Sequence, residues 1–240
     1  MCFNKFFLVA LVLGNSMLLA ACGGGDNASS FLTVSGTAAT GAPLISGAVT
    51  ATCKSGLGNA TSNTNGSFTV TISNGVGPCL LAIQPADGSS PLYSITSGVA
   101  SSQTVNITPM TNLLVSYLLS VPGMTAATPT AWFALPATKA LLTDTVALKA
   151  RVVNDFIPTT KNLAPGLSLT DTSFLSTAFT PNPKISNTDA DLELLKTTNI
   201  VTSTGASSPT TKIAVQAAAS RSATVPPVPQ TATGAAGTAS

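Results

Sequence analysis

The chain has 240 residues, enough for one or two domains with apolar cores, yet only 8% of them are charged, against about 25% in typical soluble proteins. Its formal charge of +2 gives no electrostatic reason to expect nucleic acid or a strongly anionic partner. Because the chain contains no histidine, Ser-His-Asp and Cys-His catalytic sites and histidine-containing metal sites are excluded. Neither a Gly-x-Ser-x-Gly elbow nor a phosphate loop occurs, so we predict no catalytic and no metal site.

Residues 1–21 have the composition of a secretory signal. Lys5 precedes an apolar core from Phe6 to Leu13, and small residues lead to Cys22. The apolar run is shorter than the roughly 20 residues that a membrane-spanning helix needs. We therefore expect residues 1–21 to be removed and residues 22–30, which begin with Cys22 and three glycines, to form a flexible tether.

The sequence Leu19-Ala20-Ala21-Cys22 resembles the lipobox of bacterial lipoproteins. The resemblance implies cleavage between Ala21 and Cys22, a diacylglycerol on the Cys22 thiol and usually an acyl chain on the new amino group. Two or three acyl chains anchor a protein firmly in a membrane, and we expect no other cofactor. Gly23, directly after the cysteine, implies the outer membrane by the same resemblance, with the orientation left open. The alternative is an ordinary secretory signal that happens to contain a cysteine.

Residues 31–108 alternate between apolar and polar side chains with period two, as half-buried strands do. Gly- and Pro-rich turns separate the strands, and Asn65-Gly66 is the strongest hairpin signal among them. This pattern predicts an antiparallel sandwich. The apolar positions are Leu32 and Val34; Val49, Ala51 and Cys53; Phe68, Val70 and Ile72; Cys79, Leu81 and Ile83; and Val105 and Ile107.

Two of the four cysteines remain after the leader and the lipid site are set aside. Cys53 and Cys79 form an even pair in an exported protein, and both fall on apolar strand faces. An oxidising envelope lets disulfides persist, so we predict a bridge between them. Two buried free thiols are the alternative.

Four short motifs in this region are Val34-Ser35-Gly36, Gly41-Ala42-Pro43-Leu44, Gly47-Ala48-Val49 and Thr64-Asn65-Gly66-Ser67-Phe68. Together they resemble the carboxypeptidase regulatory-like module, over about a third of the chain. The resemblance implies a transthyretin-like β-sandwich and says little about function. Asn63 and Asn65 stand where that family often has an acidic residue, so we assign no calcium role to this turn.

Residues 109–198 change to helical periodicity and hold most of the charges. We predict a helix over Thr111–Leu119, then a loop, then a long helix from Pro136 that Pro158 ends. Its apolar stripe comprises Leu141, Leu148, Val152 and Phe156. Two shorter helices are predicted over Thr170–Phe179 and Thr188–Thr198.

Residues 199–216 suggest a β-hairpin that pairs Ile200-Val201 with Ile213-Ala214-Val215. Residues 217–240 contain Ala, Thr, Ser, Gly and Pro without an apolar pattern, and we interpret them as a disordered tail. The predicted fold class is therefore α+β: an N-terminal antiparallel β-sandwich, then a small α-helical region, then the tail.

Two groups of side chains are candidates for a site. Trp132 and Phe133 could bind a sugar or a protein partner if exposed, although burial in the helical region is the interpretation that we favour. Asp189, Asp191 and Glu193 alternate as in a calcium loop, but they lack its central glycine and its final glutamate. We expect the two aspartates to complement a helix N-terminus and Glu193 to face solvent.

These observations favour a lipid-anchored bacterial cell-envelope protein with a structural or binding role and no catalytic one. The membrane is its expected partner through the lipid, and a glycan or an envelope protein is its candidate ligand. Two alternatives stay open: an envelope glycan hydrolase that uses Asp and Glu, and an accessory subunit of a transport or assembly complex.

Overall fold

The computed structural model describes residues 30–181 and 187–223. The predicted leader, Cys22 and nearly all of the predicted tether lie outside these residues, as does the predicted tail from residue 224 onward. The strands are β1 Phe31–Thr37, β2 Ala48–Ser55, β3 Leu57–Thr61, β4 Ser67–Ser73, β5 Val76–Gln84, β6 Leu92–Ile95 and β7 Ser102–Thr104. The helices are α1 Pro109–Leu118, α2 Pro129–Ala134, α3 Pro136–Thr143, α4 Thr145–Arg151, α5 Ile157–Leu163, α6 Ser173–Ser176, α7 Asn187–Thr197 and α8 Pro209–Ala219, with a π-helical turn at Val152–Phe156.

The strands of the described residues form two sheets, with the orders β4-β1-β7 and β3-β2-β5-β6. Their pairing is antiparallel except between β1 and β7, which run parallel. The predicted alternation is confirmed in β1, β2, β4 and β5, whose predicted apolar positions are buried in one shared cluster. Val105 and Ile107, which we predicted to form a strand, are buried in the same cluster but follow β7 instead of lying in it. Mostly antiparallel sheets followed by helices make the fold α+β, as predicted.

The four-stranded sheet is the middle layer of the molecule. In β5, Cys79, Leu81 and Ile83 belong to the cluster between the sheets, whereas Leu80 joins the helical cluster on the other side. Burial on both faces explains why the interior of β5 lacks the alternating exposed positions of β2 and β4. Helix α1 packs against β6 on this outer face. Among the described residues, no helix is long and apolar enough to cross a bilayer.

Helix α1 begins where the strand periodicity ends. Thr108 caps it, because its side chain accepts a hydrogen bond from the Thr111 backbone N–H while the Thr111 hydroxyl accepts one from the Thr108 N–H. Pro109 fits the first turn, which needs no backbone donor.

The prediction of one long helix from Pro136 to Pro158 is wrong. Asp144 adopts an extended conformation and caps α4, accepting hydrogen bonds from Val146 N at 3.1 Å and Ala147 N at 3.0 Å. Nor does Pro158 end the helical segment. The wider π-helical turn before it places Pro158 in the first turn of α5, where a proline costs no hydrogen bond.

The hairpin predicted within residues 199–216 is also wrong. Ile213 to Val215 lie in α8, which Ser208 caps and Pro209 opens, and Val201 makes a single bridge with Ser207 instead. Helix α8 continues to Ala219, so the predicted tail does not begin at residue 217. The predicted loop before Pro136 contains α2, whereas the helix predicted over Thr188–Thr198 is present as α7.

Candidate functional site

The disulfide between Cys53 and Cys79 is confirmed. The two residues are direct partners in the β2–β5 ladder, their Sγ atoms are 1.99 Å apart, and both are buried. The Cys79 N–H donates to the Thr96 hydroxyl at 2.8 Å, which ties the bridge to the chain after β6. The bridge is therefore a structural crosslink inside the core. The predicted cleavage and lipidation residues, Ala21 and Cys22, lie outside the described residues.

Trp132 and Phe133 lie in α2 and form no exposed binding surface. Trp132 is 0% exposed and Phe133 is 3% exposed, both within the helical cluster. As candidate binding residues they are therefore wrong, and the burial that we favoured is observed. The Lys139 ammonium lies 5.6 Å from the centre of the Phe133 ring, a cation–π contact that links α3 to α2.

The three acidic residues of α7 lie in different surroundings. Asp189 is in the first turn, where burial, followed by the charge of Glu193, raises the pKa of its carboxyl. Asp191 accepts hydrogen bonds from the Ser168 N–H at 2.9 Å and the Ser168 hydroxyl at 2.8 Å. Glu193 pairs with Lys196 at 3.1 Å and is not simply solvated. No group of three potential metal ligands occurs within residues 30–181 and 187–223.

The Asp191–Ser168 contact should hold α7 against the loop before α6. We expect Asp191→Ala and Ser168→Ala each to lower the free energy of unfolding, with a coupling energy of about 1 to 2 kcal/mol between them. Denaturant unfolding of the two single variants and the double variant measures this coupling. A double variant as unstable as the sum of the two single variants would contradict it.

One candidate ligand cleft lies beside β7 and is here called the β7 cleft. It has a volume of about 440 Å³ and lies between β7, the chain after β6, α4 and α6. Its lining is mixed and nearly uncharged: Ile95, Ala100, Val146, Leu148 and Leu175 contribute apolar surface, which is the larger part, and Gln103, Lys149 and hydroxyl side chains contribute the polar groups. The hydroxyl residues are Thr96, Ser97, Ser102, Thr104, Thr145, Thr172 and Ser176.

The open edge of β7 contributes backbone groups to this cleft. On one side β7 pairs with β1, as shown by Thr33 N to Ser101 O and Val105 N to Ser35 O, both at 2.8 Å. In a parallel ladder the intervening residues direct their N–H and C=O groups the other way. The backbone groups of Ser102 and Thr104 therefore lie on the cleft side.

Asn106 marks the point at which this edge becomes covered. Its backbone N–H donates to Leu175 O at 2.7 Å, and its side-chain amide donates to Phe174 O at 3.2 Å and Thr177 O at 2.7 Å. In a longer helix the same three carbonyls would accept hydrogen bonds from backbone N–H groups four residues further on. The helix predicted over Thr170–Phe179 is accordingly reduced to Ser173–Ser176, and the prediction is wrong in its extent.

A second cleft, of about 300 Å³, contains a chain of polar contacts. The Tyr117 hydroxyl lies 2.6 Å from the Ser222 hydroxyl, which donates to Asp155 at 3.2 Å, and Arg151 pairs with Asp155 at 3.6 Å. Arg151 also donates to the carbonyl of Ala223 at 2.9 Å. The network holds the residues after α8 against α1 and the π-helical turn. Ser222 and Asp155 therefore have a structural role here.

Burial raises the pKa of Tyr117 above its usual 10.0, although the Ser222 hydrogen bond opposes the change. The folded state therefore holds this proton more tightly than the unfolded state, so stability is constant below about pH 10 and falls above it. We expect Tyr117→Phe to be less stable at pH 7 but to lose less stability than the parent between pH 10 and pH 11. Urea unfolding across this range is the measurement, and parallel losses would contradict it.

Comparisons with known proteins give no match. No protein-family model, no curated protein and no solved structure is significantly similar to this chain.

Proposed function

We propose that this chain is a lipid-anchored bacterial cell-envelope protein with a binding role, held by acyl chains on Cys22 and recognising its ligand in the β7 cleft. The observation that carries the proposal is the Cys53–Cys79 disulfide. Disulfides persist in oxidising compartments outside the cytosol. With that pair joined, Cys22 is the one cysteine of residues 22–240 left for lipid attachment, and it follows Leu19-Ala20-Ala21.

The proposed fold is the transthyretin-like sandwich of carboxypeptidase regulatory-like modules. Two observations support it: two mostly antiparallel sheets share one core, and the motif residues Gly41 and Gly66 adopt positive φ in turns. Gly66 opens β4, as the Asn65-Gly66 signal predicts. These turns account for two of the four glycines on which the resemblance is based, Gly41 and Gly66.

The proposed ligand is a neutral glycan. Hydroxyl side chains and open-edge backbone groups can both donate and accept hydrogen bonds, which suits a polyhydroxylated molecule. A glycan hydrolase is less well supported. Such an enzyme needs two carboxyl groups about 5 to 10 Å apart across the substrate, and the β7 cleft is lined by none.

Metabolic labelling with a palmitate analogue tests the anchor. Cys22→Ser should abolish incorporation of the label, whereas the matched Cys2→Ser variant should retain it, because residue 2 lies in the predicted leader. Equal labelling of the two variants would contradict the proposal, as would an unlabelled parent.

A glycan array probed with the detergent-solubilised protein tests the cleft. Thr104 and Thr69 are exposed and lie opposite Ser35 on either side of β1, but Thr104 lines the cleft and Thr69 does not. Thr104→Arg should weaken binding by about tenfold or more through steric exclusion, and Thr69→Arg should not. Binding that both substitutions leave unchanged would exclude this cleft as the site.

A further inference from the structure

Exposed large apolar side chains are concentrated at one end of the two sheets. Within the described residues seven such side chains are exposed, and the most exposed in the strands is Leu57, at 73%. Four belong to this end, which we call the entry end: Phe31, Leu57, Val76 and Val99. A fifth, Val146, adjoins it: Gly98 N donates to Leu142 O of α3 at 2.8 Å, and Gly98 also lies beside Thr145 of α4.

The strand registers bring these residues together. Phe31 lies opposite Ser73 in the first sheet, and Ser55 lies opposite Val76 in the second. A tight turn at Asn74 and Gly75 joins these two ends, and Leu57 follows Ser55 after one residue. Val99 lies at the same end, because it is close to Gly77 in β5. A methyl group added at Gly77 would lie 3.6 Å from the Val99 Cα.

The chain enters the fold at this same end. The Ser30 carbonyl accepts a hydrogen bond from Asn74 N at 2.7 Å, so the residue before β1 is fixed beside the β4–β5 turn. Cys22 precedes Phe31 by nine residues, which span at most about 30 Å when fully extended. Acyl chains on Cys22 would therefore keep the entry end within this distance of the bilayer.

We propose that the entry end docks on the lipid surface that holds the anchor, with Phe31, Leu57, Val76 and Val99 inserted among the headgroups and acyl chains. This inference rests on the proposed lipidation of Cys22. A short tether makes docking intramolecular, so a small apolar patch that binds lipid weakly by itself is sufficient.

Charged residues near this end favour an anionic lipid surface. Lys54 precedes Ser55 at the end of β2, and it lines a groove of about 470 Å³ together with Lys139. Asp144 lines the same groove and caps α4 with its carboxylate, so the two lysines leave the groove with a net charge of +1. The two ammonium groups can bind lipid phosphates while the neighbouring apolar side chains enter the bilayer.

Fluorescence quenching by brominated lipids tests the docking. The lipidated full-length protein is reconstituted into vesicles of phosphatidylethanolamine and brominated phosphatidylglycerol, with Leu57→Trp as the reporter. The matched control is Ile45→Trp, because Ile45 is 50% exposed and precedes β2 at the opposite end of the sheets. Trp132 is fully buried and supplies a constant background.

We expect brominated lipid to remove roughly half of the added emission of Leu57→Trp and to leave Ile45→Trp unchanged. Equal quenching of the two reporters, or none of either, would overturn the docking if mass spectrometry shows acylated Cys22. A Leu57→Trp reporter that responds only to an envelope extract would overturn it in favour of a protein partner. Absence of acylation would instead refute the proposed function itself.

Discussion

Replacing Cys53 and Cys79 together with alanine is expected to lower the free energy of unfolding by about 3 to 4 kcal/mol. The two residues are separated by 26 positions, and in the chain-entropy model a crosslink across such a loop removes this much conformational freedom from the unfolded state. Alanine leaves no buried hydroxyl in the core, so the measured loss reports mainly the crosslink. Denaturant unfolding at neutral pH gives the value.

The control for this prediction is a reducing agent. Dithiothreitol should lower the stability of the parent protein by a similar amount and should leave the Cys53→Ala/Cys79→Ala variant unchanged. A variant as stable as the oxidised parent would show that the crosslink contributes nothing, and that packing of β2 against β5 is sufficient.

Asn106→Asp is expected to destabilise the protein by roughly 3 kcal/mol at pH 7. Asn106 is fully buried, and its amide donates to the carbonyls of Phe174 and Thr177. A carboxylate at this position would face both oxygens without a proton to donate. The segment from α6 to Thr177 should then detach from the edge of β7. Faster hydrogen exchange of the backbone N–H at position 106, which bonds to Leu175 O in the parent, would detect this.

The pH dependence of the free energy of unfolding separates the effect of the new charge from the effect of replacing the amide by a group of slightly different shape. Burial beside carbonyl oxygens raises the pKa of the new carboxyl above its unfolded value of about 4. The added loss is therefore absent below about pH 4 and grows as the pH rises towards neutrality. Asn59→Asp introduces the same charge at an exposed site on β3 and should cost little at any pH. A pH-independent loss for Asn106→Asp would contradict the explanation.

Strand alternation was sufficient to predict β1, β2, β4 and β5, because each presents one apolar face to the shared core. Polar residues on the other face, or turn residues next to the strand, indicate where each strand begins and ends. The strands that we missed lack this contrast. In β3 the largest side chain, Leu57, is exposed, and β6 is only four residues long and largely buried. The parallel pairing of β7 with β1 depends on distant residues, which a local pattern does not contain.

The helical region was predicted less accurately because its helix ends depend on tertiary contacts. Asp144 interrupts an apolar stripe that continues on both sides of it, so periodicity alone joins α3 to α4. Asp144 is itself a signal of a new helix start, because Asp is among the residues most favoured at the N-cap position. The short α6 depends on Asn106, which lies 68 residues before Phe174.

The candidate site shows the same division between local and tertiary information. The disulfide could be predicted from two cysteines on apolar strand faces in a chain that we expected to be exported. The β7 cleft could not, because its lining combines ordinary Ser, Thr and apolar residues from four separate parts of the chain. Only the folded structure brings them to one open strand edge.

The most direct measurement is the intact mass of the protein purified from its native membranes. The account predicts a chain that begins at Cys22, with the added mass of a diacylglycerol and usually of one further acyl group. A free thiol at Cys22, or residues 1–21 still attached to the chain, would contradict it.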